Sequence, residues 1–196
     1  VKCTGKMELY GQTFHCWKEK GHGWVSMKNA MKQSCDTYFY EVARLLGVDR
    51  LNITAQKFGL GKKVLGEYFD TEKKGLFPNT KWKKNNLGKG WVLGETLITG
   101  IGQGYIQSTP LQLCMMTAQI ANGGYAIKPK IIVDSNPISY EDAKQSMESG
   151  LLFDTKSNSL LDKKLFKDKK NIKIVQEAMF SSTNERFGTS YKSRID

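Results

Sequence analysis

The chain has 196 residues, with 30 Lys plus Arg against 19 Asp plus Glu, for a formal net charge of +11. That length suits one domain, since globular domains run to about 100–200 residues. A 39% apolar fraction alongside 19 glycines excludes wholesale disorder. No apolar run in the sequence approaches the roughly 18 residues needed to cross a bilayer, and the first residues lack the order of a secretory signal.

In chain order, residues 1–25 are rich in Gly, aromatic and polar residues without a sustained period, and read as extended or loop structure. Ser26 is placed to cap a short helix over about 27–33. From Asp36 the pattern becomes helical: Phe39, Val42, Ala43 and Leu46 recur at i, i+3, i+4 and i+7, and Gly47 is a natural stop. Asp49 is read as the cap of the next helix, which runs to Phe58, and the two helices should form a hairpin. Gly61 to Gly100 reads as a long polar connection carrying Pro78, Trp82 and Trp91, with the tryptophans docking it on a surface. Thr109-Pro110-Leu111-Gln112 combines an N-cap, a first-turn Pro and a Gln three residues on, so it opens a helix to Asn122. Tyr125 to Val133 reads as a strand, residues 134–170 as a polar peripheral insertion, and Asn171 to Ser182 as a final helix.

The charge raises nucleic acid as a partner. The lysines, however, come singly and in pairs, such as Lys62 with Lys63 and Lys83 with Lys84, without zinc-finger spacing or an RNA-recognition aromatic motif. A solvated lysine-rich surface is the simpler reading. Four cysteines are too few to staple a domain of this size. Cys35 and Cys114 lie in apolar-periodic surroundings and read as small core residues. Cys3 and Cys16 leave three readings open: a disulfide, two free thiols, or half of a metal site extended by His15, His22 or residues before Val1. His22, between Gly21 and Gly23, reads by itself as a hydrogen-bonded structural residue.

Ser34-Cys35-Asp36 lies between two predicted helices. In a non-helical step, Ser34 and Asp36 can face one cleft while Cys35 turns toward the core. The plainer reading makes Asp36 an N-cap and Ser34 a turn residue. Gly100-Ile101-Gly102-Gln103-Gly104 lacks the Gly-Lys-Ser/Thr ending of a phosphate loop, and close backbone approach is the better reason for its glycines.

Several distinctive segments occur in order: CTGKMELYGQTFHCWKEKGHGWVSMKNAMKQSCDTYFYEVARLLGVDRL, FPNTKWKK, GETLITGIGQGYIQSTPLQL and NGGYAIKPKI. In these the chain resembles the transpeptidase domain of class B penicillin-binding proteins, within them the penicillin-binding protein 2 group, over all but roughly 134–170. The resemblance implies an α+β fold of the penicillin-binding, β-lactamase-like class, with residues 1–196 forming part of one transpeptidase domain, mainly its helical part with an incomplete antiparallel sheet. It also implies serine acyl transfer: crosslinking of peptidoglycan stem peptides at D-Ala-D-Ala, and trapping by β-lactams. Of the family's three motifs, S-x-x-K and K-[ST]-G have no match, and Ser34-Cys35-Asp36 falls where S-x-N belongs, with Asp in place of Asn. The chain is therefore expected to begin after the nucleophile motif and end before the third, and to be inactive alone.

The resemblance makes Ser34 and Asp36 the catalytic candidates: the Ser34 hydroxyl relays a proton toward the departing amine, and Asp36 positions that network. It implies no cofactor for catalysis, and a structural zinc at Cys3 and Cys16 as one reading of that pair. Implied partners are a membrane glycosyltransferase and rod-shape scaffold proteins of the elongation machinery, with no nucleic acid. The implied location is the periplasmic side of the bacterial inner membrane, with an anchor outside this chain. The alternatives are a basic nucleic-acid-binding module, a thiol enzyme using Cys35 or Cys16, and a noncatalytic remnant of the family.

Overall fold

A computed structural model describes residues 1–66, 69–129 and 164–194. The first 25 residues form two small antiparallel pairs. Strands β1 (Lys2–Cys3) and β4 (Gly23–Trp24) pair with Cys3 opposite Gly23, and β2 (Lys6–Leu9) pairs with β3 (Gln12–His15), Lys6 opposite His15. Tyr10 and Gly11 both take positive φ, 48° and 75°, the geometry of a two-residue hairpin turn whose twist matches its strands. The segment closes back on itself at Gly5 and Gly21, where an added Cβ would strike the carbonyls of Glu19 and Cys3. Only glycine allows that approach, and it brings Cys3, Cys16 and His22 together.

Helix α1 (Met27–Lys32) is capped by Ser26, whose Oγ accepts from the Asn29 N–H at 3.4 Å. It ends in a Schellman motif: the Cys35 N–H reaches the Ala30 carbonyl at 2.8 Å and the Ser34 N–H that of Met31 at 3.3 Å. Ser34 thus holds the left-handed position of the motif, φ 52°, which glycine usually takes. Helix α2 (Asp36–Leu46) buries Thr37, Tyr40 and Ala43 and stops at Gly47, φ 77°. Helix α3 (Val48–Lys57) follows at once.

Two expected caps are displaced. Cys35, not Asp36, is the N-cap of α2, and Gly47, not Asp49, that of α3. Both carboxylates instead tie down distant segments. Asp36 Oδ2 accepts the Trp17 N–H at 2.9 Å, and Asp49 Oδ1 accepts the Thr80 N–H at 2.9 Å.

The connection expected between Gly61 and Gly100 contains two helices, α4 (Thr80–Leu87) and α5 (Leu93–Gly100). Asn79 caps α4 through the Trp82 N–H, and Gly88 closes it in the left-handed region. Lys83 is buried and pairs with Glu95, which also accepts from Tyr105 Oη at 3.2 Å. The tryptophans serve this pair: Trp82 and Trp91 both pack against Tyr105, and Lys83 lies over the Trp91 ring. Helix α5 packs on α2 where Gly100 meets Ala43, so the glycine at the end of α5 serves close approach, as the sequence suggests.

Helix α6 (Pro110–Ala121) opens with the expected capping box of Thr109 and Gln112. Its inner face is partly polar: the fully buried Gln112 amide donates to the carbonyls of Lys62, at 2.6 Å, and Lys74, at 2.9 Å. Those bonds anchor Lys62 and Lys74 against the start of α6. Cys114 is exposed, not a core residue. The strand expected over 125–133 is not formed where it is described: Tyr125 makes an isolated bridge with Lys164 and residues 126–129 have no regular structure, while residues 130–133 of that strand and 134–163 of the expected insertion lie outside the described residues. Helix α7 (Lys169–Asn184) packs along α1, followed by a short 3-10 turn at Tyr191–Ser193. No helix among the described residues is long and apolar enough to cross a membrane.

Candidate active-site wall and metal centre

The turn between α1 and α2 separates its three side chains by direction. Ser34 is exposed, Asp36 is half-buried, and Cys35 is fully buried beneath them. The left-handed conformation at Ser34 is what projects its hydroxyl away from the core while Cys35 points in. Asp36 begins α2, where an acidic side chain faces the positive end of the helix dipole. Its Oδ2 holds the Trp17 backbone, and the Trp17 indole N–H donates to the Gln33 carbonyl at 3.0 Å. The segment after β3 is therefore fixed against the turn from both sides.

Ser34 Oγ lies 2.9 Å from Thr189 Oγ1, a residue 155 positions away. Thr189 is carried there by the tail of α7, which is clamped to α1 by Lys32. That lysine donates to Glu185 at 2.7 Å, while Lys28 stands 3.4 Å from the same carboxylate. These contacts join residues from opposite ends of the chain, and no local pattern in the polar stretch after Asn184 announces them.

Under the turn, Cys3, Cys16, His22 and Cys35 place their ligand atoms within 4.8 Å of one another. His22 Nδ1 is 3.6 Å from both Cys3 Sγ and Cys16 Sγ. A tetrahedral ion with Zn–S near about 2.3 Å and Zn–N near about 2.05 Å has a sulfur-to-nitrogen edge of about 3.6 Å. Both separations match it. His22 Nε2 is buried without a hydrogen-bond partner among the described residues, and the ring's polar contacts run through Nδ1 to the two thiols, so the hydrogen-bonded reading of His22 and its reading as a ligand meet at the same atom. All three cysteines are free and buried.

The thiols are uneven in their chemistry. Burial opposes ionisation of Cys3, yet hydrogen bonds with Thr37 and His22 outweigh it and hold the thiol at about 6. Burial, reinforced by the neighbouring Cys3 and Cys16, pushes Cys35 up to about 12. A cation at the centre of the group would offset the burial cost, and the smaller repulsion, that keep Cys35 protonated. Three sulfurs and one imidazole within 4.8 Å of one another suit zinc. The residues present therefore fit the metal reading of Cys3 and Cys16, with His22 and Cys35 completing the set. His15 is exposed and stands outside it. Sequence reasoning offers His22 as one extension of the pair but misses Cys35, because the four residues are spread over the first 35 positions, without the close ligand pairs that mark most zinc sites.

A family profile described as the penicillin-binding protein transpeptidase domain matches residues 1–195. The peptidoglycan D,D-transpeptidase MrdA of Acinetobacter baumannii is 44% identical over 134 residues, 67% of this chain and 20% of that protein. The MrdA of Escherichia coli K12 is 36% identical over 129 residues, 66% of this chain and 20% of that protein. Among solved structures, Pseudomonas aeruginosa PBP2 in complex with WCK 5153 superposes with a TM-score of 0.78 at 35% identity, covering 98% of this chain and 40% of that one. PBP2 of Helicobacter pylori in complex with MreC gives a TM-score of 0.78 at 27% identity, covering 98% and 32%. The chain thus spans about a fifth of the length of the curated relatives it matches. The profile match along the chain, and the close superposition on two members, place it in the penicillin-binding protein transpeptidase family, with the α+β fold that its helices and small antiparallel pairs display.

Proposed function

We propose that this chain is the part of a peptidoglycan D,D-transpeptidase that builds one wall of the acyl-transfer cleft. The observation that carries the reading is the Ser34-Cys35-Asp36 turn: an exposed hydroxyl and a carboxylate held in fixed relation by a buried Cys35. Acyl transfer requires a proton to leave the attacking serine and reach the departing D-alanine amine. A serine hydroxyl can accept one proton while donating its own, so Ser34 passes the proton without holding a charge. Asp36 keeps the Trp17 segment beside that hydroxyl and thereby shapes the cleft wall. The nucleophile, its lysine and most oxyanion donors are proposed to come from the rest of the domain, since S-x-x-K and K-[ST]-G do not occur among the 196 residues.

Cys3, Cys16, His22 and Cys35 would hold a structural zinc ion. When bound, such an ion neutralises the clustered thiolates and ties the N-terminal strands to the start of α2. No cofactor is assigned to the chemical step. The substrates of the whole protein are proposed to be stem peptides ending in D-Ala-D-Ala, with β-lactams as covalent inhibitors. A scaffold partner is supported by the Helicobacter pylori relative in complex with MreC, and a glycosyltransferase partner by the likeness to a peptidoglycan synthase complex that coordinates polymerization and crosslinking. The proposed location is the periplasmic face of the bacterial inner membrane, held by an anchor outside this chain.

The test is acylation of the intact transpeptidase by a fluorescent penicillin. Labelling is expected in the wild type, and Ser34→Ala should slow it by about a hundredfold or more, within the range of general acid–base losses. An intact protein that is never labelled would overturn the reading.

A further inference from the structure

We propose that Thr189 is a positioning residue for the Ser34 hydroxyl, acting through one side-chain hydrogen bond; this rests on the reading that Ser34 lines the acyl-transfer cleft. Contacts of Thr189 and of the residues on either side of it support this. The Thr189 N–H donates to the Lys32 carbonyl at 3.0 Å, one of the last carbonyls of α1, which the helix itself leaves unsatisfied. Thr189 Oγ1 stands 2.9 Å from Ser34 Oγ and 3.3 Å from Ser182 Oγ, and reaches the Lys32 carbonyl at 3.5 Å. The Ser190 N–H donates to the Ser182 carbonyl at 3.2 Å, and Gly188 packs so closely on the Ser181 and Ser182 carbonyls that no Cβ would fit. The backbone on either side of Thr189 is therefore anchored, and a β-branched side chain on a fixed backbone has little freedom at χ1.

The strained position of Ser34 gives this contact its meaning. A glycine would suit the left-handed site of the Schellman turn, and a serine there is uncommon. What the serine supplies over glycine is a hydroxyl, and the partner the described residues offer it is Thr189. Ser34 and Thr189 are both exposed, so the pair lies at the open surface of the turn, where packing does not demand it. Each hydroxyl is one donor and two lone pairs. When Ser34 donates to Thr189, its own lone pairs face the cleft and can take a proton. When Thr189 donates to Ser34, the Ser34 proton faces the cleft and can be given up. Ser182, also within reach of Thr189, accommodates the proton that Thr189 turns away in the first case. Thr189 thus sets the two useful orientations of the Ser34 hydroxyl and excludes others, without touching substrate.

The alternative is that Thr189 only fastens the tail of α7 to α1. The shorter Lys32 bond uses the Thr189 backbone and the hydroxyl reaches that carbonyl only at 3.5 Å, so the Ser34→Ala background is what separates the two roles. In the intact transpeptidase, Thr189→Val keeps shape and backbone bond but removes the hydroxyl. It is expected to lower the rate constant of acylation by a fluorescent penicillin by about tenfold, the worth of one lost neutral hydrogen bond, with the non-covalent dissociation constant within about twofold of wild type. Thr189→Ser should restore the rate to within about threefold. In a Ser34→Ala background, Thr189→Val should cost nothing further, because the interaction it removes is already gone. Should Val at this position unfold the domain, Thr189→Ala, which trims only exposed atoms, carries the same expectations. Wild-type acylation by the Val and Ala variants would overturn the proposal. Equal impairment of the Ser and Val variants with a lowered Tm, or an undiminished Thr189→Val loss in the Ser34→Ala background, would do so too. Unaltered acylation by Ser34→Ala alone would instead remove the underlying role of Ser34, an outcome distinct from any behaviour of Thr189.

Discussion

Lys32 Nζ and Glu185 Oε2 lie 2.7 Å apart although 153 residues separate them in the chain, and this ion pair joins the helix before the Ser34 turn to the helix whose tail meets it. The hydrogen bond from Lys32, then that from Ser181, hold the Glu185 carboxyl down at about 2 against the ordinary 4.5. A folded-state value below the unfolded one means that the contribution is complete above about pH 4.5 and is lost as the pH falls toward about 2. Glu185 is 43% exposed, so solvent and salt screen the pair even though Lys32 is only 13% exposed. In urea titrations of the intact domain, Glu185→Gln is expected to lower the midpoint at pH 7. The gap from wild type should close as the pH is taken through this window, and narrow in high salt. A gap of constant size across the acid range would assign the stabilisation to packing.

The cysteines should divide sharply by reactivity. Cys114 is exposed, whereas Cys3, Cys16 and Cys35 are buried around His22. A thiol reagent under native conditions is expected to modify Cys114 at once and to reach the other three only after a strong chelator is added. Elemental measurement should find one zinc per wild-type chain and markedly less in His22→Ala and Cys35→Ser, with a lowered Tm, since structural metal binding adds to folding free energy. Full zinc content in Cys35→Ser would remove Cys35 from the ligand set. Recovery of a Cys3–Cys16 disulfide from carefully handled protein would point to the disulfide reading instead.

Gly100 permits the contact between α5 and α2. An added Cβ would run into Ala43 Cβ and the Phe39 carbonyl, neither of which is a flexible chain end. Gly100→Ala is accordingly expected to destabilise by about 1–3 kcal/mol, the usual cost of overpacking a close contact. The second change Ala43→Gly, which removes the clashing methyl, should recover part of that loss, visible as a positive coupling in equilibrium unfolding. Simple addition of the two effects would mean that the helices separate rather than clash.

Local features of the sequence specify the elements that close within a few residues. Ser26, Gly47 and the Thr109 to Gln112 box mark helix ends because capping bonds reach only three or four positions. The same rules could have found α4, since Asn79 and Gly88 bracket it, but the lysine-rich segment between them lacks an apolar period. Helix α5 is harder to read, because glycines at Gly94 and Gly100 oppose a helix that only packing against α2 justifies. Asp36 and Asp49 looked like caps because the cap and the cross-chain acceptor are the same side chain, and only the arrival of Trp17 or Thr80 decides between them.

The sequence by itself determined the family, through the order of its segments, and singled out Ser34 and Asp36 as the candidate site residues. The tertiary structure alone decided what stands around them: Cys35 turned down onto Cys3, Cys16 and His22, and Thr189 brought against Ser34. The physical reason is separation. Caps and helical periods are written in neighbouring residues, whereas a four-ligand cluster and a hydroxyl pair depend on chain crossings at Gly5 and Gly21 and on the packing of α7 along α1. No short stretch of the sequence holds either group whole.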